Sequence, residues 1–286
     1  PRYAMWCNII PAVLNAILDW VFIFPVGMGV KGAGVATSMC MVLGGVMALA
    51  YLLMPSHKLS VVVPKFSLKS LRLSLRNVGY QCRIGISSLM GEISLAIFVF
   101  VGNLVFMRFL GDDGVGAFGI SCYYTPFFFS VGNSIAQSAQ PIISYNYGLE
   151  RWDNVSRVRR MLLMTSFAVG AVVALLFVFV PEWLVGMFVD ASSKAGVIAI
   201  EGFPYYALGI IFFILNVAII GYYQSIERVG RAMFITALRG MIFIVPAFLL
   251  LPSVLGVRGI WLAMPVAEVL TLAVILLMLL VARKRK

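Results

Sequence analysis

Asn8-Ile-Ile-Pro-Ala-Val-Leu-Asn15-Ala-Ile-Leu-Asp19-Trp-Val-Phe-Ile-Phe-Pro-Val26 is long enough to cross a bilayer and carries a single charge. Asn15 and Asp19 stand four residues apart, so a helix brings both side chains to one face. A carboxylate at the bilayer centre costs about 2.5–3.5 kcal/mol by insertion scales. Such a group faces a protein interior or a watery cavity, where it binds an ion, carries a proton or pairs with a charge.

Composition extends that reading to the whole chain. Of 286 residues, 62% are hydrophobic and 12% charged, and the mean hydropathy is +1.01. Soluble domains average about 25% charged residues, so most of this chain belongs in lipid. The net charge of +11 would suggest nucleic acid in a soluble protein. Here the basic residues lie between apolar spans, which points to membrane orientation and away from a nucleic-acid partner. Cys7, Cys40, Cys82 and Cys122 are scattered without a CxxC pair and read as small core residues. His57 is the single histidine, beside Lys58 in a basic loop, and does not make a metal site. HExxH, GxSxG and P-loop motifs are missing from the sequence, so an enzyme is not expected.

At about 20 residues per crossing, eight spans emerge: 8–26, 32–54, 80–109, 117–143, 161–181, 197–221, 234–252 and 259–281. The expected fold is an all-α polytopic membrane protein. With both ends of the chain cytoplasmic, the outer side holds only Lys31, Arg108, Lys194 and Arg258. The remaining 18 of the 22 basic residues then fall inside, Arg83 and Arg239 near the cytoplasmic ends of spans among them. That bias fixes the orientation. The segment Pro64–Arg76 interleaves leucines with Lys69, Arg72 and Arg76, as either a short interfacial helix or a solvated connector.

Pro25-x-x-x-Gly29-Val-Lys31-Gly32-x-x-x-Ala36 recurs as Pro252-x-x-x-Gly256-Val-Arg258-Gly259-x-x-x-Ala263, offset by 227 positions throughout. Six spans separate the copies, so both have the same orientation, as in a parallel repeat of about six helices. The domains expected are 1–54, the last two helices of one lobe; 55–79, an inter-lobe linker; and 80–286, a complete six-helix lobe. The chain opens on Pro1 without an initiator Met, and four further helices of the parent protein are expected upstream.

With the repeat in view, the chain resembles the multidrug and toxic compound extrusion (MATE) family, in its DinF-like bacterial branch. Three regions carry the resemblance. The first is Asn15 to Phe24 with Gly29-Val-Lys-Gly32-Ala-Gly34-Val-Ala36-Thr37. The second is Gln140-Pro141-Ile-Ile-Ser-Tyr145-Asn146-Tyr147-Gly148. The third is Leu251-Pro252 through Gly256-Val-Arg-Gly259-Ile-Trp261-Leu-Ala263. They fit the last eight of twelve helices.

The resemblance implies two six-helix lobes around a central cavity and exchange of inward Na+ or H+ for an outward organic, often cationic, compound. It implies no cofactor beyond that coupling ion, and a multi-pass location in a bacterial inner membrane. It places Asn15, Asp19 and Thr37 in the cation or proton site, with Asp19 the Na+ ligand; a further aspartate of that site belongs to a first helix outside this chain. Geometry agrees that Asp19 and Thr37 can meet: each lies roughly 8–10 Å from the turn between their antiparallel spans. Their oxygens suit a hard cation, and a carboxylate can take a proton instead. The bland alternatives are a structural hydrogen bond or a salt bridge for Asp19, and back-bonding to a helix carbonyl for Thr37.

Glu92 and Glu268 are further intramembrane acids, with a proton or substrate role or an interhelical hydrogen bond as the two readings; Arg239 or Arg83 is a candidate partner for either. Tyr123, Tyr124, Phe127, Phe128 and Phe129 either line a cavity for flat cations or pack in the core. Competing functions are a lipid-linked saccharide flippase of the same superfamily, disfavoured by the few mid-span basic residues, and a truncated, non-functional fragment.

Overall fold

The computed structural model describes residues 2–54 and 67–284. The basic loop with His57 and Lys58, residues 64–66 of the amphipathic segment, and Arg285 and Lys286 lie outside them. The chain divides into two compact units, Pro1–Leu73 and Ser74–Lys286.

The first unit is a helical hairpin of α1 (Arg2–Ile23) and α2 (Gly29–Leu53). Gly32, Ala36 and Cys40 are the buried residues of α2, and their four-residue spacing forms one stripe of small side chains. Small residues let helix backbones approach closely, which is how helices associate where lipid supplies no hydrophobic drive. Gly44 extends the stripe, its Cα facing the Cys7 carbonyl and the Pro11 ring. At the far end Tyr3 donates to the Met47 carbonyl over 2.9 Å and stacks on Tyr51 with ring centroids 4.5 Å apart.

Most of α3 (Leu68–Gly148) belongs to the second unit, where it is broken at Gly111 (φ 65°, ψ −154°). Its two halves fold back on each other: Phe98 and Phe106 meet Phe118, while Gly91 approaches Phe129. α4 (Trp152–Phe179), the short α5 (Pro181–Gly186) and α6 (Lys194–Ser225) follow. A π-helical turn (Leu238–Ile242) then joins α7 (Val229–Ala237) to α8 (Ile244–Leu255), and α9 (Val257–Lys284) ends the unit. Among the described residues, seven helices are long and apolar enough to cross a membrane. The one at Leu89–Gly148 has 60 residues, three times what a crossing needs, and its reversal at Gly111 makes two passes. The eight expected spans are therefore present in an all-helical protein.

α6 is the centre of the unit. It packs against α4, α5, α7 and α9 and buries Phe203, Tyr206, Ile210 and Ile214 among Phe106, Phe118, Phe128, Phe248 and Trp261. Phe128 thus belongs to the core, whereas Tyr123 and Phe127 are exposed and Tyr124 donates to the Leu184 carbonyl at 2.9 Å. Ser193 caps α6, accepting from the Gly196 amide. Just before it, the Asp190 carboxyl is held below the usual carboxylate range by the Ser192 amide and hydroxyl.

The two copies of the sequence repeat share a conformation. Gly29 and Gly256 have φ of +55° and +60°, a region that costs a side chain strain and suits glycine. Gly32 and Gly259 each lie against the end of the preceding helix, at Phe22 and at Leu251 respectively. Ala36 and Ala263 are both fully buried. Gly111 and Gly114 repeat the device a third time, with φ of +65° at Gly111 and Gly114 against Leu110. This copy is hidden in the sequence because Asp112-Asp113 replaces the Val-Lys/Arg pair between the glycines.

Helix begins at Leu68 and runs unbroken through residue 79, so from Leu68 onward the leucine-rich segment takes the helical of its two readings. Ser67 starts it, its carbonyl accepting from the Leu71 amide and its hydroxyl from the Ser70 amide, and no proline or glycine interrupts the next turns. The span expected at 234–252 contains the π turn, after which Pro246 sits in the first turn of α8, where its missing N–H is tolerated. The Gln140–Gly148 motif ties helix ends together: the Ser144 hydroxyl donates to the Ser225 carbonyl, and Asn146 accepts from Asn154 at 2.9 Å.

Candidate functional site

The polar face of the first unit assembles on the hairpin. Asn15 Nδ2 lies 3.4 Å from Thr37 Oγ1, a long bond at the edge of effective geometry. Both residues line an open groove of about 470 Å³ between α1 and α2, with Cys7, Pro11 and Cys40. Asp19 is one turn further along α1. Its Oδ1 is buried and accepts no hydrogen bond. An orphaned buried acceptor costs about 1–3 kcal/mol, more when charged, so this oxygen is one that a proton or a cation would satisfy. The structure therefore brings Asn15 and Thr37 together and leaves Asp19 beside them without a bonded partner at that atom. Thr37 makes no bond back to its own helix, whereas its neighbour Ser38 does, to Gly34.

The second unit holds a different arrangement. Glu268 is paired with Arg239: Nη2 and Nε of the guanidinium both donate to Oε1, at 2.6 and 3.0 Å. The two side chains are 9% and 5% exposed. Asn216 donates from Nδ2 to Glu268 Oε2 at 2.7 Å and to its backbone carbonyl at 3.0 Å, and its Oδ1 has no partner. The guanidinium also stacks 4.1 Å from the centroid of Phe213. A small cavity of about 40 Å³ opens beside the pair, lined by Ser94, Thr125, Thr236 and Phe129 among others. Thr125 and Tyr206 share a hydrogen bond of 2.8 Å in the same core.

The π turn places Arg239. Such a turn carries one residue more than the α-helical turn it replaces and is frequent at functional positions. Here it aims the guanidinium at α9, so Arg239 is buried inside the second unit. Glu268 has the interhelical partner that its alternative reading anticipated. Glu92, by contrast, stands on an exposed face of α3 and is not joined to this network. Asn216 was not among the expected site residues; an amide in the middle of the apolar run Ile210–Ile220 was the available signal.

Eight apolar passes among the described residues, with polar groups buried inside the second unit, define a polytopic membrane protein. A family model, MatE, matches residues 88–249. The chain belongs to the MatE family, whose members are transporters and not enzymes. No curated protein matches it significantly.

Solved structures share the fold. One is the outward-facing conformation of a multidrug resistance MATE family transporter of the MOP superfamily, at 21% identity and a TM-score of 0.83, covering 99% of this chain and 63% of that one. Another is a MATE protein in complex with MaL6, at 20% identity and 0.83, with the same coverage. A third is a MOP superfamily transporter from Pyrococcus furiosus, at 19% identity and 0.80, covering 94% of this chain and 60% of that one. For it, a reverse polarity of the binding pocket is said to suggest a different function. The chain thus spans somewhat under two thirds of the length of these relatives.

Proposed function

We propose that the intact protein is a secondary antiporter in a bacterial inner membrane that exports organic, often cationic, compounds in exchange for inward Na+ or H+. Asn15, Asp19 and Thr37 contribute oxygen ligands or the proton acceptor, and both ends of this segment are cytoplasmic. The observation carrying the reading is the buried, unpartnered Oδ1 of Asp19, one turn from the Asn15–Thr37 pair. A carboxylate kept in lipid without a fixed counter-charge is one that exchanges partners. The only ion pair among the described residues is elsewhere, between Arg239 and Glu268. That pair neutralises the buried guanidinium, which weakens the case for a flippase needing free cations in its cavity.

The coupling has a definite energetic form. One charge moving down the membrane potential yields about 2.3 kcal/mol per 100 mV. When a monovalent cationic compound leaves as one cation enters, the electrical terms cancel and the ion gradient alone drives export. Ion and compound must then weaken each other's binding by the same factor, whichever binds first.

Asp19→Asn in the full-length protein is expected to abolish ion-driven efflux from everted membrane vesicles while leaving insertion and abundance unchanged. Thr37→Val should weaken ion dependence by about tenfold, as loss of a supporting ligand does. Undiminished efflux by Asp19→Asn removes the assignment.

A further inference from the structure

We propose that the second unit carries a phospholipid site: an apolar groove for one acyl chain, with Arg258 one helical turn beyond its end for the phosphodiester. The groove measures about 680 Å³, within the roughly 300–1,000 Å³ of ligand pockets. It is formed by α4, α6 and α9, and every lining residue is apolar, among them Ala171, Val178, Leu208, Leu262 and Val266. Each helix contributes one face. On α9 the lining residues Leu262, Pro265, Val266 and Val269 follow the spacing of a single helical stripe. A groove with no polar group offers nothing to an ion or to water, and in a membrane-spanning unit its natural occupant is hydrocarbon.

Charge at one end selects which hydrocarbon. The Arg258 guanidinium lies 5.9 Å from the ring centroid of Tyr205. Arg258 is four residues before Leu262, and Tyr205 three before Leu208, so each stands one turn above a groove-lining residue on the same helix face. α6 and α9 enter the groove from that common end, which places cation and aromatic ring together at its mouth. Arg258 is exposed, and its guanidinium has the planar donors that suit phosphate oxygens. Glu201, also exposed, stands one turn beyond Tyr205 on the same face. The two charges together match a zwitterion: phosphate to Arg258, ammonium towards Glu201. Phosphatidylethanolamine has both groups and the tail; a free phosphate has neither tail nor ammonium.

Native mass spectrometry of the delipidated full chain, titrated separately with phosphatidylethanolamine, phosphatidylglycerol and diacylglycerol of identical tails, tests the site. Phosphatidylethanolamine should be retained about fivefold better than diacylglycerol, the effect of one basic residue at a lipid surface. Arg258→Gln should erase that preference, and Glu201→Gln should erase discrimination against phosphatidylglycerol. Ala171→Trp should block retention of all three by filling the groove. Arg258 and Glu201 are exposed, so those variants keep the fold, checked by a thermal melt matching the parent. Equal retention of diacylglycerol and phosphatidylethanolamine by the parent chain, tighter binding of phosphatidylglycerol, or unchanged retention by Arg258→Gln overturns the proposal. Efflux through Asp19 is unaffected by any of these outcomes.

Discussion

Glu268→Ala is expected to destabilise the protein by about 3–5 kcal/mol, because it leaves the Arg239 guanidinium buried with no counter-charge. The pair is nearly inaccessible, and Asn216 donates to the same carboxylate, so truncation strands both the guanidinium and one amide donor. Arg239→Ala should cost a similar amount, now by stranding the carboxylate. The combined variant Arg239→Met/Glu268→Met removes both charges and fills much of their volume. It should recover most of the loss, since desolvating two charges offsets most of what their attraction contributes. Thermal unfolding of the purified protein in detergent checks all three. Parental stability in Glu268→Ala, or a double variant no better than the singles, would show that the pair does not hold the lobe together.

The second large effect is expected at Gly259. A Cβ there would lie 2.3 Å from the Leu251 carbonyl oxygen, 2.5 Å from its carbon and 2.9 Å from the Pro252 nitrogen. These are backbone atoms braced by a proline ring, so the turn has nowhere to yield. Gly259→Ala should cost about 3 kcal/mol or more, the upper end of overpacking penalties. The matching change in the first unit, Gly32→Ala, meets Phe22 at 2.9 and 3.0 Å and should cost about 1–2 kcal/mol on the same scale. The fraction of monodisperse protein surviving a temperature ramp ranks the two. A milder loss at Gly259 than at Gly32 contradicts the reading of the repeat as a shared steric device.

How far the sequence could be read follows from what lipid demands. Each crossing requires about 20 apolar residues and internal pairing of the backbone, so the spans stood out even where their ends did not. The Gly29 and Gly256 turns were visible as repeated letters, and their common positive φ supplies the cause. Hydropathy is blind to helical register, however. It could not detect that one extra residue near Arg239 turns a charge at a span's end into a charge at the lobe's centre. Nor does it flag Asn216, which scores as one mild interruption in an apolar run yet holds Glu268 in place. The candidate ion site was half legible: spacing put Asn15 and Asp19 on one face and Thr37 at matching depth. The unsatisfied state of Asp19 Oδ1 is a property of packing, which no string of letters carries.

The π turn makes this stretch sensitive to length more than to composition. Removing any single residue from 238 to 242 would restore ordinary winding and swing one flank of the span about 100° relative to the other. Arg239 would then leave α9 for whatever lies a quarter-turn away, though the apolar count of the segment would barely change. Relatives that lack one residue here should also lack the acid–base couple. Evolution can edit the greasy letters of this helix freely, but a lone charge keeps the tally of its residues.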